Sequence, residues 1–572
     1  MLWKYRNYDS DLAKKLAFGL DKPIKIGDFL AGRGFKDVNE VRRFLAIDLK
    51  ELSSPETMPG MDKAVEILLK AHLDNKIIVI SGDYDADGLT ATALLKRVLE
   101  PLGFKVLTRI PHRLEEGYGL TQAAVNEMAS WGANLIITVD CGVSDYEAIA
   151  LANQLGLSVI ITDHHELPPK LPEAAAIVNP HLGGGWETYP LAGVGVAFML
   201  AWAVRKAFLE RKLVSSAPSM VENLSLVALG TIADMAPLVG VNRTLVSHGL
   251  NFLSATQWPG LVALKKNLRL NNHSRLTVRD VGFKLAPRLN AAGRLGSSAP
   301  ALGILTTSDQ VEALDLARQL DELNRQRYET QARLVEEALE MLEHEVVSSS
   351  LSVILAKEGW PRGVLGLAAS RVAEKSGKPT IMFTIENDVA IGSGRTARGF
   401  NLFEILTEVR DICVSMGGHS QAAGLKVNLD RLEEFREAFE NAASHQSGAD
   451  TENETELLID LTCKLSELSL LADHFSEFEP FGQAHPSPVA VIKNIKVLDS
   501  VVKGQKLSLR VSDGFSRQHL SGFNLISRVD EVGPIMHLAV VYEPDSASSD
   551  KWCLVDFINP FQESLIEDEP PF

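Results

Sequence analysis

In the stretch IIVISGDYDADGLTATALL, which begins at Ile77, three aspartates (Asp83, Asp85 and Asp87) come directly after a run of apolar, mostly β-branched residues. Such a run reads as a buried strand. Two more apolar runs end in the same manner: NLIITV leads into Asp140, and LSVIIT leads into Asp163, His164 and His165. A further carboxylate, Asp234, closes an apolar run in LVALGTIADMAPL, beside a proline turn. Carboxylates brought together raise one another's pKa unless cations neutralise them. Oxygen ligands with one or two imidazoles suit Mn²⁺ or Mg²⁺ better than thiolate-selected metals. A pair of such ions about 3.5–4 Å apart is the usual device for hydrolysing phosphoesters. Taken singly, each group has a plainer reading. An aspartate at a strand end is commonly a helix N-cap or turn residue, and adjacent histidines are commonly structural. DYDADG also resembles a calcium loop, but TATALL, just after it, lacks the bidentate glutamate. The repetition at three strand ends carries the metal reading.

The elements around these residues predict their convergence. From Lys76 to His165 the runs IIVIS, FKVLTRI, NLIITV and LSVIIT alternate with helix-like segments such as TATALLKRVLEPLG and SDYEAIALANQLG. Continuous apolar strands separated by helices make a doubly wound parallel α/β sheet, and ligands of such sheets bind outside the carboxyl ends of the strands. A long helical stretch starts near Ser308, with Leu316, Leu320, Leu323, Leu334 and Leu342 in a loose stripe; a helix of this length bridges two domains. LSVILAK, GVLGLAASRVAEKSG, PTIMFTI and a glycine-rich turn GSGRTARGF then indicate a smaller α/β domain. The polar stretch Ser444 to Glu456 has the composition of a linker, and runs such as VAVIKNIKVLDS and WCLVDFI beyond it suggest a small β-barrel.

Composition narrows the class. At 572 residues, 45% hydrophobic and 23% charged, the chain exceeds one core and is of ordinary globular type. Its longest apolar run, Leu191 to Val204, is shorter than the roughly 20 residues that span a bilayer. Arg205 and Lys206 close that run, so it reads as a buried helix. The opening MLWKYRNYDSDLAKK has no apolar leader, so a cytoplasmic protein without membrane contact is expected. Cys141, Cys413, Cys463 and Cys553 lie far apart and read as reduced thiols. A net charge of −17 argues against general adhesion to nucleic acid. Yet from Lys265 to Arg294 eight Lys and Arg (Lys265, Lys266, Arg269, Arg275, Arg279, Lys284, Arg288, Arg294) face one acid, Asp280, which reads as a local phosphate track.

In this order and at these spacings, DYDADG, VDCG, TDHH and GTIADMAPL resemble the motifs of the DHH phosphoesterase superfamily. Within it, PHRLEEGYGL (from Pro111), NPH (from Asn179), LAGVGVAF (from Leu191), APRLNAAGRLG (from Ala286), GSGRT (from Gly392) and GGHSQAAG (from Gly417) are similar to the RecJ family of bacterial single-stranded-DNA exonucleases. EPFGQAHPSP, near Glu479, resembles the start of that family's oligonucleotide-binding (OB) barrel.

The resemblance implies a 5′-to-3′ exonuclease of single-stranded DNA that uses two divalent metals, Mn²⁺ or Mg²⁺, and no protein nucleophile. Asp85, Asp87, Asp140, His164 and Asp234 would be metal ligands, with Asp140 the bridge. Asp83 and Asp163 would be ligands or orienting groups, and His165 would sit close to the scissile phosphate. Arg288, Asn290 and Arg294 would hold backbone phosphates; Ser393, Arg395 and His419 would grip the 5′ end, with Arg113 beside them. Tyr118 would stack a base or simply pack.

The implied organisation is an N-terminal extension (1–60) packed on a DHH domain (61–300), a connecting helix (301–345), a DHH-associated domain (346–445), an OB-like domain (457–562) and an acidic tail (563–572). A monomer is expected, with a single-stranded-DNA-binding protein and a RecQ-type helicase as partners in recombination and repair. The tail EDEPPF also resembles that of the binding protein, although a solvated acidic tail is the simpler reading. The sequence departs from the family at Pro361, where a histidine is usual, and at GSGRT in place of GSGRS. A hydrolase of short oligonucleotides and a catalytically dead scaffold remain the alternatives.

Overall fold

The structure, a computed structural model, describes residues 1–270, 275–344, 351–396, 399–446, 456–543 and 551–567. Strand β1 (Leu2–Tyr5) finds its partners at the other end of the chain; the metal-site sheet comes next. It comprises β2 (Ile77–Gly82), β3 (Lys105–Arg109), β4 (Leu135–Val139), β5 (Ser158–Thr162) and β6 (Ala176–Val178), all parallel in the order β3-β2-β4-β5-β6. Alternate residues serve opposite faces: Ile78, Ile80, Ile137 and Ile160 enter one apolar cluster, Val79, Ile136, Val159 and Ile161 the other. Burial on both sides explains the continuous apolar strands. The Leu191 run forms the helix Gly193–Glu210, buried along most of its length.

The helix Gln310–His344 joins two cores. Leu316, Leu320 and Leu323 pack on the metal-site domain, whereas Leu334, Ala338 and Leu342 pack on the next one. That smaller domain holds β7 (Val353–Glu358), β8 (Thr380–Glu386), β9 (Val389–Arg395), β10 (Cys413–Gly418) and β11 (Ala422–Asn428), in the order β10-β11-β9-β8-β7. Here one expectation is corrected: Gly392 to Arg395 of GSGRT lie inside strand β9, paired on both sides, not in a turn. The glycines answer to crowding. A Cβ on Gly392 would come within 2.5 Å of the Phe383 ring, and one on Gly394 within 2.9 Å of Leu402.

Strand β12 (Glu456–Ile459) pairs with β1, and β13 (Leu461–Thr462) leads into the barrel. The barrel's strands are β14 (Val489–Lys503), β15 (Lys506–Ser512), β16 (Arg517–Phe523), β17 (Ile535–Tyr542) and β18 (Trp552–Ile558), in the order β16-β15-β14-β17-β18. The outer strands meet where Gly522 abuts the Leu554 carbonyl, closing the curl. Strand β19 (Ile566–Glu567) flanks β1, so one residue of the EDEPPF segment is a strand residue. The rest of that segment, and 447–455 of the expected linker, lie outside the described residues.

A second correction concerns the N-terminal extension. Expected against the DHH domain, it packs mainly on the barrel: Leu16, Ile26, Phe29 and Leu30 share an apolar cluster with Phe475, Phe478, Leu538 and Phe557. The Phe29 ring meets Phe475 at 5.1 Å and Phe478 at 5.7 Å, both edge-on. Arg33 donates to both oxygens of buried Asp460, at 2.6 and 2.8 Å. The last third of the extension turns to the metal-site domain: Arg243 and His248 there bond the Phe44 and Ile47 carbonyls, and Leu49, Leu52 and Met58 pack on the metal-site core. The architecture is thus an α/β domain on a doubly wound parallel sheet, a long connecting helix, a smaller α/β domain and a C-terminal barrel capped by the N-terminus. Phe29→Ala should destabilise the barrel by about 3–5 kcal/mol, as for other buried aromatics. Chemical denaturation followed by the fluorescence of Trp552 in the barrel core would read it, and a loss below about 1 kcal/mol would contradict this packing.

Candidate metal centre

The register of the sheet brings the acids together. Gly82 pairs with Val139, and Val139 with Thr162, so Asp83, Asp140 and Asp163 each sit one residue past the end of their strand, side by side. The Asp140 amide donates to the Thr162 carbonyl at 3.0 Å and that of Asp163 to the Val178 carbonyl at 3.1 Å, so the ladder holds to the last residue. Asp140 then adopts a φ of 62°, a left-handed conformation uncommon for a residue with a side chain. Gly193 faces it: a Cβ there would lie 2.7 Å from the Asp140 side chain, so the buried helix has to begin with glycine.

Helix termini hold two of the remaining acids. Asp85 caps the helix Ala86–Leu99, accepting from the amides of Asp87 and Gly88 at 3.0 and 3.1 Å. Asp87 accepts from the amides of Gly193 and Val194 at 2.7 and 2.9 Å, at the positive end of the Gly193–Glu210 helix. Asp234 ends the apolar helix Leu224–Ala233 as its C-cap. His164 Nε2 lies 3.1 Å from Asp140 and 4.0 Å from Asp87.

The result is three groups of potential ligands, each with its atoms within 4.8 Å of one another: Asp83, Asp85 and Asp140; Asp87, His164 and Asp234; Asp140, His164 and His165. Asp140 and His164 are each common to two groups. Electrostatics fit cations here. Burial, and then neighbouring carboxylates, push Asp83 and Asp140 well above the usual carboxylate range and raise Asp87 and Asp234 to about 7. The buried Oδ1 of Asp83 has no hydrogen-bond partner among the described residues. A hard donor set with an orphaned buried oxygen is suited to divalent cations such as Mn²⁺ or Mg²⁺.

Asp163 is different in kind. Fully buried, it accepts from the amides of Val143, His164 and His165 and from His165 Nδ1 at 2.8 Å. Burial alone would raise its pKa, but these hydrogen bonds outweigh it and hold the carboxylate below its ordinary value. It orients the two histidines. For His165, burial opposes the charged form, and the bond to Asp163 more than offsets it. Tyr118, for which the sequence allows stacking or packing, has a hydroxyl that donates to the Asp140 carbonyl at 3.0 Å and lies 3.1 Å from His165 Nδ1, so its ring closes one side of the centre.

The basic residues divide. Asn290 accepts from the Ala86 amide at 2.7 Å and so anchors the DYDADG loop. Arg294 lies near Arg113, Arg327 and Arg395; burial first, then these three guanidinium groups, lower its pKa to about 9. Arg113 stacks over Tyr84 at 4.6 Å, and Arg395 donates to Ser393 Oγ at 3.2 Å. Among the described residues, none of these four arginines hydrogen-bonds a carboxylate. Tyr84 and Arg327 escape a reading of the sequence, because one looks like a spacer between two aspartates and the other like a solvent-face charge on a long helix.

The phosphate track is corrected in part. Lys265 is buried, donating to the Leu253 and Ser254 carbonyls; Lys284 pairs with Asp280, Arg288 with Asp321, Arg275 with Glu479 and Arg279 with Glu543. Sequence-local counting misses these acids because most belong to distant elements. His419 sits at the turn between β10 and β11, where its amide closes the hairpin on Ala422 at 2.8 Å.

Comparisons with known proteins divide the chain in the same way. The N-terminal domain of the DHH family matches residues 77–231, the DHHA1 domain 345–445 and the RecJ OB domain 459–549. The single-stranded-DNA-specific exonuclease RecJ of Dickeya dadantii is 38% identical over 487 residues, 82% of this chain and 83% of its own. That of Bacillus subtilis is 35% identical over 557 residues, 95% of this chain and 68% of the relative. RecJ from Thermus thermophilus, solved in complex with Mn²⁺, superposes with a TM-score of 0.82 at 26% identity, over 98% of this chain and 79% of that one. Since the likeness runs through the metal-site sheet, the smaller domain and the barrel in one continuous order, the chain belongs to the RecJ family of DHH phosphoesterases.

Proposed function

We propose that this chain removes nucleotides from the 5′ end of single-stranded DNA by metal-dependent phosphodiester hydrolysis. The observation that carries the reading is the juxtaposition of a carboxylate-rich centre with a cluster of largely buried arginines, Arg113, Arg294, Arg327 and Arg395, that hydrogen-bond no carboxylate among the described residues. Asp83, Asp85, Asp87, Asp140, His164 and Asp234 would hold two divalent ions. Such ions supply Lewis-acid charge neutralisation at the phosphate and a more acidic water. The chain itself binds and orients. Arg113, Arg294 and Arg395, with Ser393, offer donors to a terminal phosphate at the seam between the two α/β domains, and Arg327 adds charge. His165, held by Asp163, faces the same space from the metal side. Arg288, expected to hold backbone phosphate, is paired with Asp321, and a strand would have to compete with that carboxylate for it.

The three-domain organisation favours long strands over dinucleotides, because a barrel gives a stacking and charge platform that a dinucleotide hydrolase does not need. A full ligand set favours an enzyme over a dead scaffold. A single-stranded-DNA-binding protein and a RecQ-type helicase would supply the substrate during recombination and repair. The deciding assay is a time course on end-labelled single strands of several tens of nucleotides with Mn²⁺, Mg²⁺ or chelator. Loss from the 5′ end is expected only with metal, only on the single strand, and not in Asp140→Ala. Cleavage confined to dinucleotides would overturn the reading, as would binding without cleavage.

Acidity adds a second expectation. Asp87 and Asp234, raised to about 7, favour the metal-free fold while protonated, below the usual carboxylate range near 4. That contribution is lost as pH rises to about 7. Cations replace those protons, so the rise in melting temperature on adding Mn²⁺ should be larger at pH 8 than at pH 6. Asp234→Asn should shrink the difference; a shift independent of pH would contradict the assignment.

A further inference from the structure

A cavity of about 860 Å³ separates the metal-site domain from the barrel. It begins beside the metal centre, since its wall includes Asn290 and the neighbours of Asp234, Ala233 and Met235, and it reaches Gln483 and Glu543 of the barrel. In that wall stand Arg279 and Phe283, one helical turn apart, with the guanidinium carbon 5.7 Å from the ring centroid. Phe283 is 73% exposed, so the core gains little from it, and it lies on a π-helical turn, Val281–Leu285, a distortion frequent at functional sites. Arg279 is paired with Glu543, and both side chains are about one third exposed, at 38% and 33%. A pair so open to water is weak and exchanges readily.

We propose that Arg279 and Phe283 form a nucleotide subsite on the path of the strand, with Glu543 as the counter-anion that occupies it when no strand is present. A base stacks on the exposed Phe283 ring. The adjoining backbone phosphate displaces the Glu543 carboxylate, which offers the same pair of acceptor oxygens to the guanidinium. The inference rests on the reading of the chain as a single-strand exonuclease and adds a length requirement to it: a dinucleotide at the metals leaves the subsite empty, whereas a strand that runs on to the barrel fills it. The neighbouring pair of Arg275 with Glu479 is less exchangeable, because Glu479 is also held by the Tyr542 hydroxyl at 2.7 Å.

The test is the ratio of KM for a strand of about 30 nucleotides to KM for a dinucleotide, measured with metal. Loss of one base–aromatic stack makes Phe283→Ala raise this ratio about fivefold or more. Phe283→Trp restores it, which a merely structural role would not predict. Glu543→Gln keeps the shape but removes the competing charge, and lowers the ratio several-fold. A wild type that digests long strands while Phe283→Ala and Glu543→Gln both keep its ratio would overturn the subsite alone. A wild type confined to dinucleotides would overturn the functional reading, and the subsite with it.

Discussion

Parallel strands in register deliver the residues just past their carboxyl ends into one small volume, and in this sheet those residues are acids. Asp83, Asp140 and Asp163 sit in a row, with Asp85, Asp87 and Asp234 brought up against them by helix ends. Mutual repulsion at this spacing in a buried site would cost several kcal/mol without compensation. Much of the local sequence answers that constraint. Amides at the start of a buried helix hold Asp87, donors saturate Asp163, and glycines at 88, 193 and 230 leave room where a Cβ would strike Asp83, Asp140 or Asp87. What the protein leaves uncompensated, chiefly Asp83 and Asp140, is the charge that cations would complete.

The constraint explains why the site is so legible in the sequence and other parts are not. An apolar run that ends in aspartate is a local signal, and three of them fix which strand ends must meet, whatever the loops between them do. Asp234 is legible as a position but not as a helix cap, since the apolar run before it satisfies either period. The packing of Phe29 on Phe475 is illegible for a different reason: it joins residues more than 400 positions apart, and nothing in the amphipathic pattern of a helix names its partner. Gly392 and Gly394 mislead because glycine signals turns and close packing alike, and only the positions of Phe383 and Leu402 decide between them.

The basic segment before Arg294 teaches the same lesson about charge. Counted along the chain, its cations look available for phosphate; placed in the fold, most meet acids or carbonyls from other elements. Arg243 shows how such contacts join domains. Its guanidinium donates to the carbonyls of Phe44, Glu479 and Pro480, at 3.2, 2.9 and 3.1 Å, and so ties the metal-site domain to the N-terminal extension and to the entry of the barrel. Buried at 2% exposure, with three acceptors and the Phe44 ring 4.0 Å away, it fixes the far wall of the cavity relative to the cluster of candidate metal ligands.

This arrangement reconciles a polyanionic substrate with a chain of net charge −17. Screening limits the reach of surface charge to about 8–10 Å at physiological salt, so an acidic exterior repels a nucleic acid that merely lies against it. Arginines at the seam between the two α/β domains act at contact distance and in a less polar medium, where Arg113, Arg294, Arg327 and Arg395 face no carboxylate hydrogen-bond partner among the described residues. Attraction is then strong only for a phosphate that has already entered, and a flexible single strand reaches such a recess more easily than a stiff duplex does. Selectivity of this kind arises from where the cations are buried rather than from how many the chain carries.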